Sequence, residues 1–173
     1  MSDDRTARLA ETNFWAELLA LRDRQRAERK DGMQVLKRRD LPLESNRQGL
    51  MRWYMHPEIK DTVLSTYLCF EQEIPPGSRT GRLKFQGGQV IYVIAGRGYT
   101  LLDGVKHPWK AGDCLNLPLR KPGIVVQHFN THAETTAKLI AVEPNFLACA
   151  SVDRGTGFEQ LENAPEYDRA KRG

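Results

Sequence analysis

Cysteine is sparse and unpaired in this chain. Cys69, Cys114 and Cys149 are odd in number and form no CxxC pair, which leaves neither a disulfide framework nor a zinc ribbon as a reading. Reduced thiols in the cytoplasm are the expectation. No run approaches about 18 consecutive apolar residues. The start, MSDDRTARLAE, carries no apolar core of an export signal, so no membrane and no secretion are expected. Neither charge dominates: 26 basic residues against 22 acidic give a net charge of +4, mixed surface charge that does not call for nucleic acid. Histidine is scarce, with only His56, His107, His128 and His132, and nothing local signals nucleophilic catalysis.

What is present supports one sizeable core: 173 residues, 40% of them hydrophobic. The layout reads as an N-terminal helix over 1–32, an all-β domain over 33–150 and a C-terminal tail over 151–173, Gly- and charge-rich and frayed at its end. Within the first part, residues 6–31 read as helix. Phe14, Leu18 and Leu21 recur at i, i+4, i+7 beside Trp15 and Leu19, a stripe expected to pack on the β domain or on a partner subunit. Eight basic residues lie between Arg22 and Arg39, but Asp23, Glu28 and Asp31 interrupt them and no aromatic lies among them, which describes a solvated helix face.

Between Met33 and Met55, Val35-Leu36 and Met51–Tyr54 read as edge strands joined by a loop over 42–49. Trp53, Tyr54 and His56 read as core or interface side chains. Further strands are expected over 63–73, 89–94, 97–102, 105–109, 113–117, 124–129 and 137–143. Asp103-Gly104 marks a two-residue hairpin. Many short strands with no helices between them predict a sandwich or jelly roll.

Two stretches sharpen that expectation. From Ile74 to Gly96 the chain reads IPPGSRTGRLKFQGGQVIYVIAG, which is strand, turn, strand. Gly77 and Gly96 stand at the spacing of the first motif of the cupin superfamily. From Gly112 to Asn130, GDCLNLPLRKPGIVVQHFN matches the family's second motif with one insertion of three residues, Gly112, Pro118 and Gly123 falling on its frame. Residues 60–145 therefore resemble a cupin, and the resemblance implies a single jelly-roll β-barrel with an N-terminal helical extension. It implies also a homodimer in which the segment from Val35 to Tyr54, with Trp53 as anchor, contributes to the interface. The family's metal-binding His, His, Glu and His correspond here to Leu83, Phe85, Gln89 and Val126. Three carbon side chains and one neutral amide do not make a metal site, so no metal or other cofactor is expected.

The same positions define the candidate site. Leu83, Phe85 and Val126 either fill the core or line an apolar pocket in which Gln89 and His128 are the polar contacts for a small aromatic or carboxylate ligand. His128 lies two residues beyond Val126 on the same strand face. The expectation is a metal-free binding protein with an accessory or sensing role, one form of which supports a catalytic partner protein. The alternative is a metal-independent isomerase, decarboxylase or hydrolase with His128 as general acid or base, and Tyr67, Cys69 and Glu71 as candidates for a second group. QHFNTH and RWYMHPE are weakly similar to gentisate-type ring-cleaving dioxygenases, which implies a link to aromatic-compound metabolism or a dioxygenase-like protein with an atypical site.

Overall fold

The computed structural model describes residues 2–62, 66–145 and 159–171. Two helices, α1 (Ser2–Glu11) and α2 (Phe14–Lys30), precede eleven strands. These are β1 (Glu44–Asn46), β2 (Gly49–Met55), β3 (Tyr67–Ile74), β4 (Arg82–Phe85), β5 (Val90–Ala95), β6 (Arg97–Leu102), β7 (Val105–Lys110), β8 (Cys114–Asn116), β9 (Ile124–Asn130), β10 (Ala137–Pro144) and β11 (Glu159–Glu162). A short helix α3 (Pro165–Ala170) follows.

The strands form two antiparallel sheets, in the orders β1-β2-β3-β10-β5-β8 and β11-β4-β9-β6-β7. They face each other as a jelly-roll sandwich and do not close into a continuous hydrogen-bonded barrel. Alternation decides which side chains enter the core. Leu139 and Ala141 of β10, Ile91 and Val93 of β5, and Phe70 and Ile74 of β3 are buried from one sheet. Leu83, Phe85, Ile124, Val126 and Trp109 meet them from the other. The Asp103-Gly104 turn joins β6 to β7 with φ of 50° and 85°, both positive as a type I′ hairpin requires.

The N-terminal half departs from the sequence reading in several places. Residues 6–31 are not one helix: the Asn13 side chain accepts a hydrogen bond from the Ala16 N–H and so caps α2, while the Thr12 hydroxyl closes α1 on the Arg8 carbonyl. The apolar stripe of α2 does not pack on the sheets, since Phe14, Trp15, Leu18 and Leu21 are all exposed. Val35-Leu36 is not a strand. There Met33 bridges Thr62, and a 3-10 turn over Arg38–Asp40 is held instead by ion pairs. Arg38 grips Glu71 through Nε and a second nitrogen at 2.7–3.0 Å and reaches Glu73 at 2.7 Å, fastening this segment to the outer face of β3. The expected loop over 42–49 contains β1, paired with β2. The strand expected from Val63 begins at Tyr67, and 63–65 lie outside the described residues. β11 and α3 occupy the stretch read as a tail, with β11 paired to β4.

Candidate functional site

A cavity of about 250 Å³ opens between the sheets at the end carrying the β1–β2 turn. Its wall is made by Asn46, Arg47, Gln48, Met51, Trp53, Phe70, Gln72, Leu83, Gln89, Val126, His128 and Gln160. Leu83 and Val126 are direct cross-strand partners on β4 and β9, and Thr100 of β6 faces His128 in register on the other side of β9. Thus four of the five sequence candidates, Leu83, Gln89, Val126 and His128, stand around one space. Phe85 does not: it pairs with Ile124 and packs into the core away from the cavity.

His128 is buried and held by a directed chain. Trp109 Nε1, which can only donate, bonds the Thr100 hydroxyl at 3.0 Å. The Thr100 Oγ1 lies 2.7 Å from His128 Nδ1, and with the indole proton already accepted the hydroxyl is free to donate its own proton to Nδ1. In the arrangement where Thr100 donates to Nδ1, the imidazole proton sits on Nε2. Burial pushes the pKa of His128 down to about 4, so the ring is neutral across the physiological range. No described residue is hydrogen-bonded to Nε2, which leaves that nitrogen available to the cavity, as a donor when Thr100 donates to Nδ1.

Gln89 supplies the complement. Its Nε2 donates to Glu143 Oε2 at 3.0 Å, leaving Oε1 as the acceptor on the cavity side. Glu143 points inward from β10 in the same alternation as Leu139 and Ala141. Burial raises its carboxyl pKa to about 7, against the smaller lowering effect of the Gln89 bond. Sequence reasoning missed Glu143, although that alternation was there to be read.

Toward solvent the cavity ends in amides and one cation. Gln48 Nε2 donates to Gln160 Oε1 at 2.8 Å, and Gln72 Nε2 donates to the Gln48 carbonyl. Exposed Arg47 is held by a bond from Nε to Asn163 Oδ1. With His128 neutral, Arg47 is the only charged side chain on the wall among the described residues. Trp53 lies in the wall, packed on Phe70 and His56 with ring centroids 5.1 and 4.9 Å apart.

The acid-base candidates of β3 lie elsewhere. Leu68, Phe70, Gln72 and Ile74 take the inward positions, which turns Tyr67, Cys69 and Glu71 to the outer face. Burial raises the Cys69 thiol. Burial also raises the Glu71 carboxyl, but the Arg38 fork more than offsets it and leaves the group below its ordinary value. Among the described residues, no group of three His, Cys, Asp or Glu side chains converges as metal ligands would. The positions at which a cupin metal would be held present carbon atoms and one amide, so the donor set does not fit one. Elemental analysis of the purified protein is expected to show less than one tenth of an equivalent, on the order of background, of any divalent transition metal per chain; one tightly held ion per chain would contradict this.

No protein-family model and no curated protein matches the chain. Solved structures do. A cupin-like protein of Thermotoga maritima shares 21% identity with a TM-score of 0.52, over 76% of this chain and 97% of that one. The polyketide cyclase RemF of Streptomyces resistomycificus shares 16% with a TM-score of 0.57, over 80% and 93%. A predicted oxalate decarboxylase of Thermotoga maritima shares 23% with a TM-score of 0.50, over 62% and 96%. At these identities the likeness is one of fold.

Proposed function

We propose that this chain, which has the cupin fold, holds a small aromatic monocarboxylic acid in its cavity without a metal, in a binding or sensing role. The observation that carries this reading is the order of polarity along the cavity. A neutral donor, His128 Nε2–H, and a neutral acceptor, Gln89 Oε1, stand at its buried end. Apolar walls from Met51, Trp53, Phe70, Leu83 and Val126 follow, and the cation Arg47 stands at the exposed rim. A carboxylate fits the cation, a flat ring fits the aromatic wall, and a ring hydroxyl or carbonyl fits the donor and acceptor. The volume of about 250 Å³ matches roughly eight waters at about 30 Å³ each, enough for one substituted ring. Low local dielectric strengthens each bond made at the buried end.

An enzymatic reading, a metal-independent isomerase or decarboxylase, draws support from the opposed pKa shifts of His128 and Glu143. It is weaker chemically. With Thr100 donating to Nδ1, the nitrogen of His128 that faces the cavity carries the proton and cannot accept another, and a neutral imidazole N–H is a poor acid. Glu143 acts on the cavity only through Gln89.

The test is titration of substituted benzoic acids and their neutral amides, read by Trp fluorescence or calorimetry. His128→Asn keeps an acceptor for Thr100 but removes the Nε2 donor. It and Gln89→Ala should each weaken the acid about five- to hundred-fold, on the scale of roughly 1–3 kcal/mol for one buried hydrogen bond. Arg47→Ala should abolish the preference for acid over amide, and Arg26→Ala on α2 should change nothing. Loss of binding on Arg26→Ala with the cavity variants unaffected would reject the cavity as the site.

A further inference from the structure

Away from the cavity, two apolar surfaces of the chain are uncovered. On α2, Phe14, Trp15, Leu18 and Leu21 form one stripe, each about half exposed or more. On the outer face of the first sheet, Val90, Tyr92 and Ile94 of β5 stand beside Val142 of β10, with Tyr67 of β3 at the margin, and these are 38–48% exposed. Register places Val90 against Val142 and Tyr92 against Ile140, so the patch is continuous across the strands. The outer face of an antiparallel sheet exposed to water is ordinarily polar. The run VIYVIA is apolar on both faces, as in a strand covered on both sides.

We propose that α2 of one copy docks on the outer face of β5 and β10 of a second copy, and reciprocally, to form a two-fold dimer. Dimensions agree. From Phe14 to Leu21 the stripe runs about 10 Å at 1.5 Å per residue, the width of two to three strands at about 4.8 Å. Area agrees as well. Nine side chains about half exposed offer on the order of 100 Å² each, so two reciprocal contacts remove on the order of 1,800 Å², within the roughly 1,200–2,000 Å² of stable complexes. The chain's own attachment favours exchange over folding back. Only Asp31 and Gly32 separate α2 from Met33, whose N–H is fixed to the Asp61 carbonyl at 2.7 Å, and Arg38 is fixed to Glu71. Short connections of this kind favour a helix given to a neighbour. The connecting segment adds exposed Met33 and Val35 to the apolar surface, so the homodimer expected from the sequence is retained with a different contact at its centre.

Sedimentation velocity at micromolar concentration tests this with the full chain. The wild type is expected to be a dimer. Leu18→Glu and Tyr92→Glu should each weaken association by at least about 30-fold, the size of losing an interface anchor. Because both positions are exposed, the variants should keep the circular dichroism of the wild type, and Trp15→Glu with Val90→Glu provides a second pair. The decisive sample is the equimolar mixture of Leu18→Glu with Tyr92→Glu. One helix then meets one intact sheet, and heterodimers should form where neither variant self-associates. A wild-type monomer would overturn the proposal. So would dissociation by Tyr92→Glu but not Leu18→Glu, which means sheet-to-sheet packing, and so would a mixture that stays monomeric.

Discussion

Glu143→Gln and His128→Asn are expected to tilt the pH dependence of stability in opposite directions. His128 has a folded pKa of about 4 against an ordinary 6.5, so the unfolded chain takes up its proton first as pH falls. The stability contributed by neutral His128 is therefore lost as pH drops from 6.5 toward 4. Glu143 has a folded pKa of about 7 against 4.5, so the folded chain keeps its proton while the unfolded chain releases it. The stability contributed by protonated Glu143 is therefore lost as pH rises from 4.5 toward 7. Between pH 4.5 and 6.5 each state carries one proton on this pair, on His128 when unfolded and on Glu143 when folded. The two slopes cancel in the wild type. Removing one partner uncovers the other, at up to about 1.4 kcal/mol per pH unit. Relative to the wild type, Glu143→Gln should gain stability as pH rises across this window, reaching roughly 3 kcal/mol near pH 7, and His128→Asn should lose it. Urea denaturation of the three proteins at pH 4.5, 5.5 and 6.5 reads both slopes. Curves that run parallel for all three would show that neither group is buried as described.

Gly98→Ala should be the most damaging small substitution in the second sheet. A Cβ at this position would overlap the Phe129 carbonyl oxygen on β9 and come within 2.8 Å of the Trp109 ring. Neither neighbour can yield cheaply, one being backbone and the other a buried indole tied to Thr100. Parting β6 from β9 also moves Thr100 and with it the bond to His128 Nδ1. A loss of about 3 kcal/mol or more is expected, a large share of a total stability of roughly 5–15 kcal/mol. Gly104→Ala provides the comparison. Its φ is 85° but nothing lies within 4 Å of a Cβ there, so the left-handed backbone alone should cost about 1 kcal/mol. Thermal and urea denaturation distinguish them, and equal losses would contradict the packing described around Trp109.

The central strands were legible because their rule is local. Period-two alternation and the Asp103-Gly104 turn fixed β5, β6, β7, β9 and β10 to within a residue or two, and the glycine frame fixed the fold. The helix break was written in Asn13, whose capping role competes with an otherwise continuous helical pattern. Val35-Leu36 looked like a strand because apolar residues do, whereas the Arg38 ion pairs with Glu71 and Glu73 decide its path from 33 positions or more away. The site divides in the same manner. Leu83, Gln89 and Val126 follow from the resemblance to the cupin motifs, and His128 from strand alternation beside Val126. Gln48 and Gln160 are 112 residues apart and meet only because β11 returns to β4. Glu143 reads as a surface charge at a strand end until Gln89 is seen to face it.

In the proposed site a neutral imidazole presents an Nε2 proton to an organic ligand. Nitrogen-15 NMR of the labelled histidines measures this directly. At pH 7 and at pH 5.5 the His128 ring should give the shifts of the neutral Nε2–H tautomer, and an aromatic acid bound in the cavity should move the Nε2 resonance. An Nδ1–H tautomer, or a His128 that titrates near 6.5 with no response to ligand, would contradict it.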